Sequence, residues 1–442
     1  MLHDWALKNE EDGVTVWSLG PWVDLFLHET KDAVGQSLHC ALEFSGRHMR
    51  WFPSESELDG IQTRLMAQLE ADPNVSAKWR KDVVTASDAL DEFSRSVPKD
   101  ASVLKDREIF TLMEEHGRGL RRMVALGMTH TILDFADGKF TSFLEEMLAR
   151  KIAEHGLSKS PAEFLAELTY VEEESAPQKE LEALLQLAVE AEGVKARDLQ
   201  EFKSKVSADA KISSMALAHA VKFASVYYGY AGPALSCEKV VGELWQLRGE
   251  KGPHEDLKRM RHARKDAVER RDAAARELHL SEKERLLLKA AQDAVFTKFY
   301  RRDAASHSFY CMEPLLREVS RRAGLDFALI ECALPWELPQ VLKSPASWKA
   351  ELEARKAYCI YASDGVEPKM YSGKAAEAYR NANLKDEEVP QTDEVTGKCA
   401  CPGKAIGRVK VIDTPAQMAK MEKGDILVST ATQPDIVPAM KK

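Results

Sequence analysis

The sequence predicts an α+β protein that is mainly α-helical, with a long helical region followed by a short β/α unit rich in glycine turns. Three observations predict it. From Ser54 to about Leu342 apolar residues recur mostly at helical spacing. Ser-x-x-Glu capping signals open several of those segments. From about residue 393 the texture changes to short alternating runs bounded by glycine and proline, as strands and tight turns require.

Composition sets the class. Charged residues make up 30% and apolar residues 44% of 442 positions, the profile of a globular chain of about two to four domains. Against 62 Lys plus Arg stand 71 Asp plus Glu, which argues against coating nucleic acid but leaves room for a local basic groove. The start, MLHDWALKNEEDG, has no signal-peptide pattern, and no apolar run reaches the ~18 residues of a membrane helix, so a cytoplasmic location without a membrane or nucleic-acid partner is expected. Seven scattered cysteines fit reduced thiols rather than a disulfide framework.

Residues 1–55 are a small region whose pattern leaves helix and sheet open. Val14–Trp17 and His48–Phe52 are strand-like, while VDLFL at 23–27 also suits a core helix. Residues 56–345 are expected to be a helical domain. Ser160-Pro161-Ala162-Glu163 is a capping box with proline in the first turn, and Ser281-Glu282-Lys283-Glu284 repeats that logic. From there Leu288, Ala291, Val295 and Phe299 are expected on one buried face.

The charged stretch His254–His279 has a thin seam of Leu257, Met260, Ala267, Ala274 and Leu278, and a break at Leu280 suggests an antiparallel hairpin with the next helix. Its Lys and Arg alternate with acids, which favours a solvated, ion-paired face over a polyanion site. Residues 346–392 are expected to be a β-hairpin, Lys356–Gly373 turning at Asp364-Gly365, and then a polar linker at about 381–394 that marks the main boundary.

Residues 393–442 carry the most specific pattern. Thr396–Asp413 packs Gly397, Gly403 and Gly407 around Pro402 and then alternates through Val409 and Val411. Thr414-Pro415-Ala416-Gln417 caps a short helix through Met418 and Met421, and Asp425–Thr430 is expected to be a buried strand. Cys399 and Cys401 are expected to be two small buried residues, because zinc needs four ligands and no second pair is suitably spaced.

The run Gly-x-x-x-x-Pro-Gly-x-x-x-Gly-x-Val-x-Val from Gly397, then Gly424-Asp425-Ile-Leu-Val, then Thr-x-Pro-Asp-x-x-Pro-Ala-Met through Thr432, Pro434 and Asp435, resembles the opening half of a swivelling phosphohistidine domain. That mobile domain belongs to the phosphoenolpyruvate-utilising enzymes, which include phosphoenolpyruvate synthase, pyruvate phosphate dikinase and the rifampicin phosphotransferases. More weakly, Tyr227–Leu247 and Lys298–Leu325 resemble the helical region that precedes it in such proteins.

The resemblance implies a phosphotransferase whose carrier histidine follows this motif, beyond Lys442, so the chain is expected to be a C-terminally truncated piece that is inactive alone. Imidazole suits the task because its neutral nitrogen is nucleophilic near neutral pH. The resemblance also implies Mg²⁺, and ATP or phosphoenolpyruvate as donor, with a small phosphorylated substrate. No Gly-x-x-x-x-Gly-Lys-Ser/Thr loop is present, so a separate ATP-binding protein or subunit is the expected source of any ATP site. No cofactor, metal or catalytic residue is identifiable within the chain itself.

Arg301 and Arg302 are candidates to face substrate, although a structural ion pair in Arg301-Arg302-Asp303 is the blander reading. His130, His219 and His307 read as packed or surface helix residues rather than phosphoryl carriers. Two rivals remain: a non-catalytic helical docking module with a remnant swivelling domain, and a partner-dependent subunit. Long helical hairpins would also offer a surface for a homodimer.

Overall fold

The computed structural model describes residues 4–135, 138–248, 252–365, 367–384, 404–412 and 415–429. A five-stranded antiparallel sheet stands at one side of the helical body, in the order β1-β3-β2-β4-β5. Its strands are β1 Asn9–Asp12, β2 Cys40–Ser45, β3 His48–Pro53, β4 Cys359–Ala362 and β5 Lys369–Ser372. The expected hairpin forms as β4 and β5, but it does not stand apart. Ala41 of β2 pairs with Ala362 of β4, so the two ends of the helical region share one sheet.

Burial explains why β2 is central. Leu42, Phe44 and Phe52 are fully buried, each worth about 1.5–3 kcal/mol of transfer free energy. Buried Glu43 is satisfied from both ends of the chain, by Arg50 at 3.1 Å, the Tyr358 hydroxyl at 2.5 Å and Arg380 at 2.8 Å. At the N-terminal end of β2, Ser363, just past β4, donates its hydroxyl to the Cys40 carbonyl and accepts the Cys40 N–H.

Val14–Trp17 corrects an expectation, because it is not a strand. Thr15 and Ser18 form a capping box, and Val16–Leu19 is a helical turn that buries Trp17. A local side-chain cap outweighs the β-branched clustering there. The VDLFL stretch is helical, running from Trp22–Asp24 into a π-helical turn at Leu25–Glu29.

The body is built on α1 Glu55–Ala71, α2 Val75–Ser96, α3 Asp106–Leu133, α4 Lys139–His155, α5 Pro161–Leu168, α6 Ala176–Glu190, α7 Leu199–Ala208, α8 Ala210–Lys222, α9 Cys237–Gln246, α10 Gly252–Glu277 and α11 Glu282–Ala323. Helices α2, α3 and α11 pack on one another. The Ser160 and Ser281 capping boxes open α5 and α11 as expected. Among the described residues no helix is long and apolar enough to cross a membrane.

Two expectations about the long helices fail. Helix α10 packs on α5 and α6, while α11 packs on α2 and α3, so they do not form a hairpin. The break at 278–281, with His279 at φ 47°, redirects the chain to a different layer. The charged face of α10 is used for ion pairs, Arg261 and Arg264 with Glu182 and Arg271 with Glu172. On α11, Val295 is exposed rather than buried, because a helix packed on two neighbours buries Asp293, Phe296 and Thr297 instead.

Helices α6 to α9 enclose a second core of Phe202, Ile212, Ala216, Val240 and Leu244, separate from the main one. Near the end, β6 Val409–Val411 and β7 Ile426–Val428 pair in parallel around a 3₁₀ turn at Pro415–Lys420. Ile412 and Met421 are buried between them. The expected buried strand is only half-buried, since Ile426 and Leu427 are partly covered and Val428 is 46% exposed. A pair of three-residue strands covers one face and leaves the other to solvent.

Candidate functional site

The two cores leave a seam, and a cavity of about 780 Å³ lies in it. Clefts between packed units are favoured ligand sites because both walls can be shaped independently. One wall is the loop 223–236, whose sequence Tyr227-Tyr228-Gly229-Tyr230-Ala231-Gly232-Pro233 folds back on α11. Gly229 and Gly232 take φ of 59° and 74°, which the tight reversal requires. The Ser306 hydroxyl fastens this loop to α11, donating to the Ser225 carbonyl at 2.5 Å and accepting the Gly229 N–H at 2.9 Å.

The Tyr227 hydroxyl is committed elsewhere. Tyr227 donates to buried Glu180 at 2.7 Å, which also holds His219 at 2.7 Å. Tyr230 packs against Trp22 and Phe309, and burial pushes its hydroxyl up to about 12. What these residues add to the cavity wall is therefore chiefly ring surface. The ammonium of Lys239 sits 4.5 Å from the centre of the Tyr227 ring, a cation–π contact.

Polar groups converge on the same space. Asp303 of α11 accepts the Ala176 N–H at 2.6 Å, capping the start of α6, and burial raises its carboxyl to about 6. Glu11, at the end of β1, is also raised by burial, against the opposing pull of Arg302. Arg302 is exposed on the cavity wall with no hydrogen-bond or ion-pair partner among the described residues. Carboxyls lifted toward neutrality in a cleft are candidates for a functional role beside any structural one.

The two arginines singled out in the sequence part company. Arg302 reaches the cavity, but Arg301 turns the other way, against α3. There it lies over Gly127, where an added Cβ would meet its Cδ at 2.6 Å, and it contacts the Thr131 hydroxyl at 3.3 Å. The ion pair expected within Arg301-Arg302-Asp303 is not formed.

His130, His219 and His307 are each held by neighbouring side chains. His130 is buried between Ser76 at 3.0 Å and Thr297 at 3.3 Å, and burial lowers it to about 4, so it is neutral at pH 7. His219 is locked on Glu180. His307 bonds Asp91 at 2.6 Å through Nδ1 and faces the Cys311 sulfur at 3.4 Å through Nε2. The sequence reading missed that arrangement, whose signal was the i, i+4 spacing of His307 and Cys311.

Of the glycine motif, Gly407, Gly424 and Asp425 are described. Gly424 has φ 92°, and a Cβ on Gly407 would collide with the Gly424 carbonyl, so the two turns touch backbone to backbone. Asp425 accepts the Glu422 N–H at 2.9 Å. Gly397, Cys399, Cys401, Pro402, Gly403, Thr432, Pro434 and Asp435 lie outside the described residues.

No family model matches the chain. Parts of it are similar to proteins named phosphoenolpyruvate synthase. A probable phosphoenolpyruvate synthase of Archaeoglobus fulgidus is 47% identical over 64 residues, covering 13% of this chain and 8% of that protein. The phosphoenolpyruvate synthase of Aeropyrum pernix is 53% identical over 58 residues, covering 13% and 7%. That of Pyrococcus furiosus is 32% identical over 129 residues, covering 28% and 15%. The matches thus span a small part of each relative, and they support a place among the phosphoenolpyruvate-utilising enzymes.

Proposed function

We propose that this chain is part of a phosphotransferase of the phosphoenolpyruvate-utilising class, in which the phosphoryl group travels on a histidine of a mobile domain, outside these 442 residues. The observation that carries this reading is the run of about half-identical residues shared with proteins named phosphoenolpyruvate synthase. The backbone contact of Gly407 with Gly424 supports it, because it gives the glycine motif a physical reason. The unit 404–429 is then the start of the carrier domain.

The seam cavity is proposed as the acceptor's site, with Arg302 as the cation that meets the transferred group. Arginine suits that role because its planar fork matches phosphoryl oxygens. Mg²⁺, with ATP or phosphoenolpyruvate as donor, belongs to the same proposal. The described residues do not fit the metal, since no group of three His, Cys, Asp or Glu converges among them, and no step on this chain is assigned to it. An ATP site is proposed on another polypeptide or segment.

The docking-module reading keeps one specific support, the exposure of Ile406, Val409 and Val411 on the terminal unit. One experiment separates the two. The complete encoded protein is incubated with Mg²⁺ and radiolabelled phosphoenolpyruvate, or with ATP labelled at its β- and γ-phosphates. The phosphotransferase reading expects an acid-labile, base-stable label on the protein, and its absence with both donors overturns that reading.

A further inference from the structure

We infer that the seam cavity takes a hydrophobic organic cation, a ring-bearing amine whose apolar part lies on Tyr227, Tyr230 and Phe299 and whose charge is met by Glu11 and Asp303. As a statement about the acceptor this rests on the function proposed above. As a statement about binding it stands on the cavity alone.

The balance of charge on the wall is the first argument. Four acids line the cavity, Glu11, Asp12, Asp303 and Glu243, against Lys239 and Arg302 as the bases. Asp12 is engaged by His48 at 2.9 Å and Asp303 by one backbone N–H, while Glu11 has no hydrogen-bond partner among the described residues. Lys179 and Lys298 act on these carboxylates from beyond the wall, and burial still prevails at Glu11 and Asp303. A bound ammonium would supply the missing counter-charge, whereas a carboxylate ligand would add to the excess.

The ring surface is the second. Tyr227 already receives one ammonium, from Lys239, as the negative face of an aromatic ring favours. The hydroxyl of Tyr227 is bound to Glu180 and so is not available as a donor that would select an anion. An apolar body with a positive end satisfies both halves of the wall.

The test uses the 442-residue chain and two probes of shared ring and opposite charge, naphthylethylamine and naphthylacetate, with binding read by calorimetry. The amine is expected to bind roughly tenfold more tightly, as about one partly desolvated charge contact would give. Glu11→Gln should remove most of that preference, and so should Asp303→Asn. Gly242→Phe should block the amine, since a Cβ at Gly242 meets no atom within 4 Å and its ring would enter open space. Equal or tighter binding of naphthylacetate, or amine binding indifferent to both Glu11→Gln and Gly242→Phe, would overturn the inference. Amine binding without phosphoryl transfer by the complete protein would leave the inference standing and remove only the functional reading.

Discussion

The Asp303 carboxylate accepts the Ala176 N–H at 2.6 Å and so ties the longest helix to the first residue of α6, across the seam between the two cores. Burial raises this carboxyl from 3.8 to about 6. A folded value above the unfolded one means that the fold favours the neutral acid. Its contribution is present below about pH 4 and is lost as pH rises through about 6. Asp303→Asn, which keeps an oxygen acceptor, should therefore stabilise the protein by about 1–2 kcal/mol at pH 8, the full shift being discounted for residual exposure. At pH 4 the gain should vanish. Urea unfolding at both pH values checks this, and an equal gain at both would contradict it.

Arg301 and Arg302 should behave oppositely although they are neighbours. Arg301→Ala removes a side chain packed over Gly127 and should cost about 1–3 kcal/mol, through lost packing as much as lost charge. Arg302→Ala should stay within about 0.5 kcal/mol of the parent, as an exposed group without partners does. Thermal unfolding of the two variants decides it.

Glu43 tests whether the sheet is one unit. Three donors from β3, the segment before β4 and the helix after β5 end on it. Glu43→Ala would strand partly buried donors and should cost about 1–3 kcal/mol. Hydrogen exchange should rise in residues 40–53 and 359–372 together. Exchange that rises in only one of the two segments would show that they do not share their stability.

Gly407→Ala should loosen the terminal unit alone. A methyl there meets the Gly424 carbonyl, so β6 and β7 would have to separate. Amide protection within 404–429 should fall while that of α2, α3 and α11 is kept. Unchanged protection in 404–429 would contradict the close approach.

The helices were legible because their signals are local. Ser160, Ser281 and the seam through Leu257 and Ala274 announce themselves within a few turns. The sheet was only half legible, since Cys40–Ser45 pairs with Cys359–Ala362 across more than three hundred residues and no local pattern encodes that partner. The hairpin expected of α10 and α11 failed for the same reason, because each helix carries an apolar seam and the sequence does not say against what. The cavity has no local signature beyond Arg302, a candidate to face substrate, because Glu11 arrives from the other end of the chain. Its role could not be read before the strand carrying it was placed.

The proposed phosphoryl carrier is a histidine outside these residues. Its most direct test is to label the complete encoded protein with phosphoenolpyruvate, digest it at neutral to basic pH and map the phosphohistidine by mass spectrometry. The account predicts a single labelled histidine beyond Lys442, with all twelve histidines of this chain unmodified. A label on any of the twelve, His307 beside Cys311 included, would contradict it.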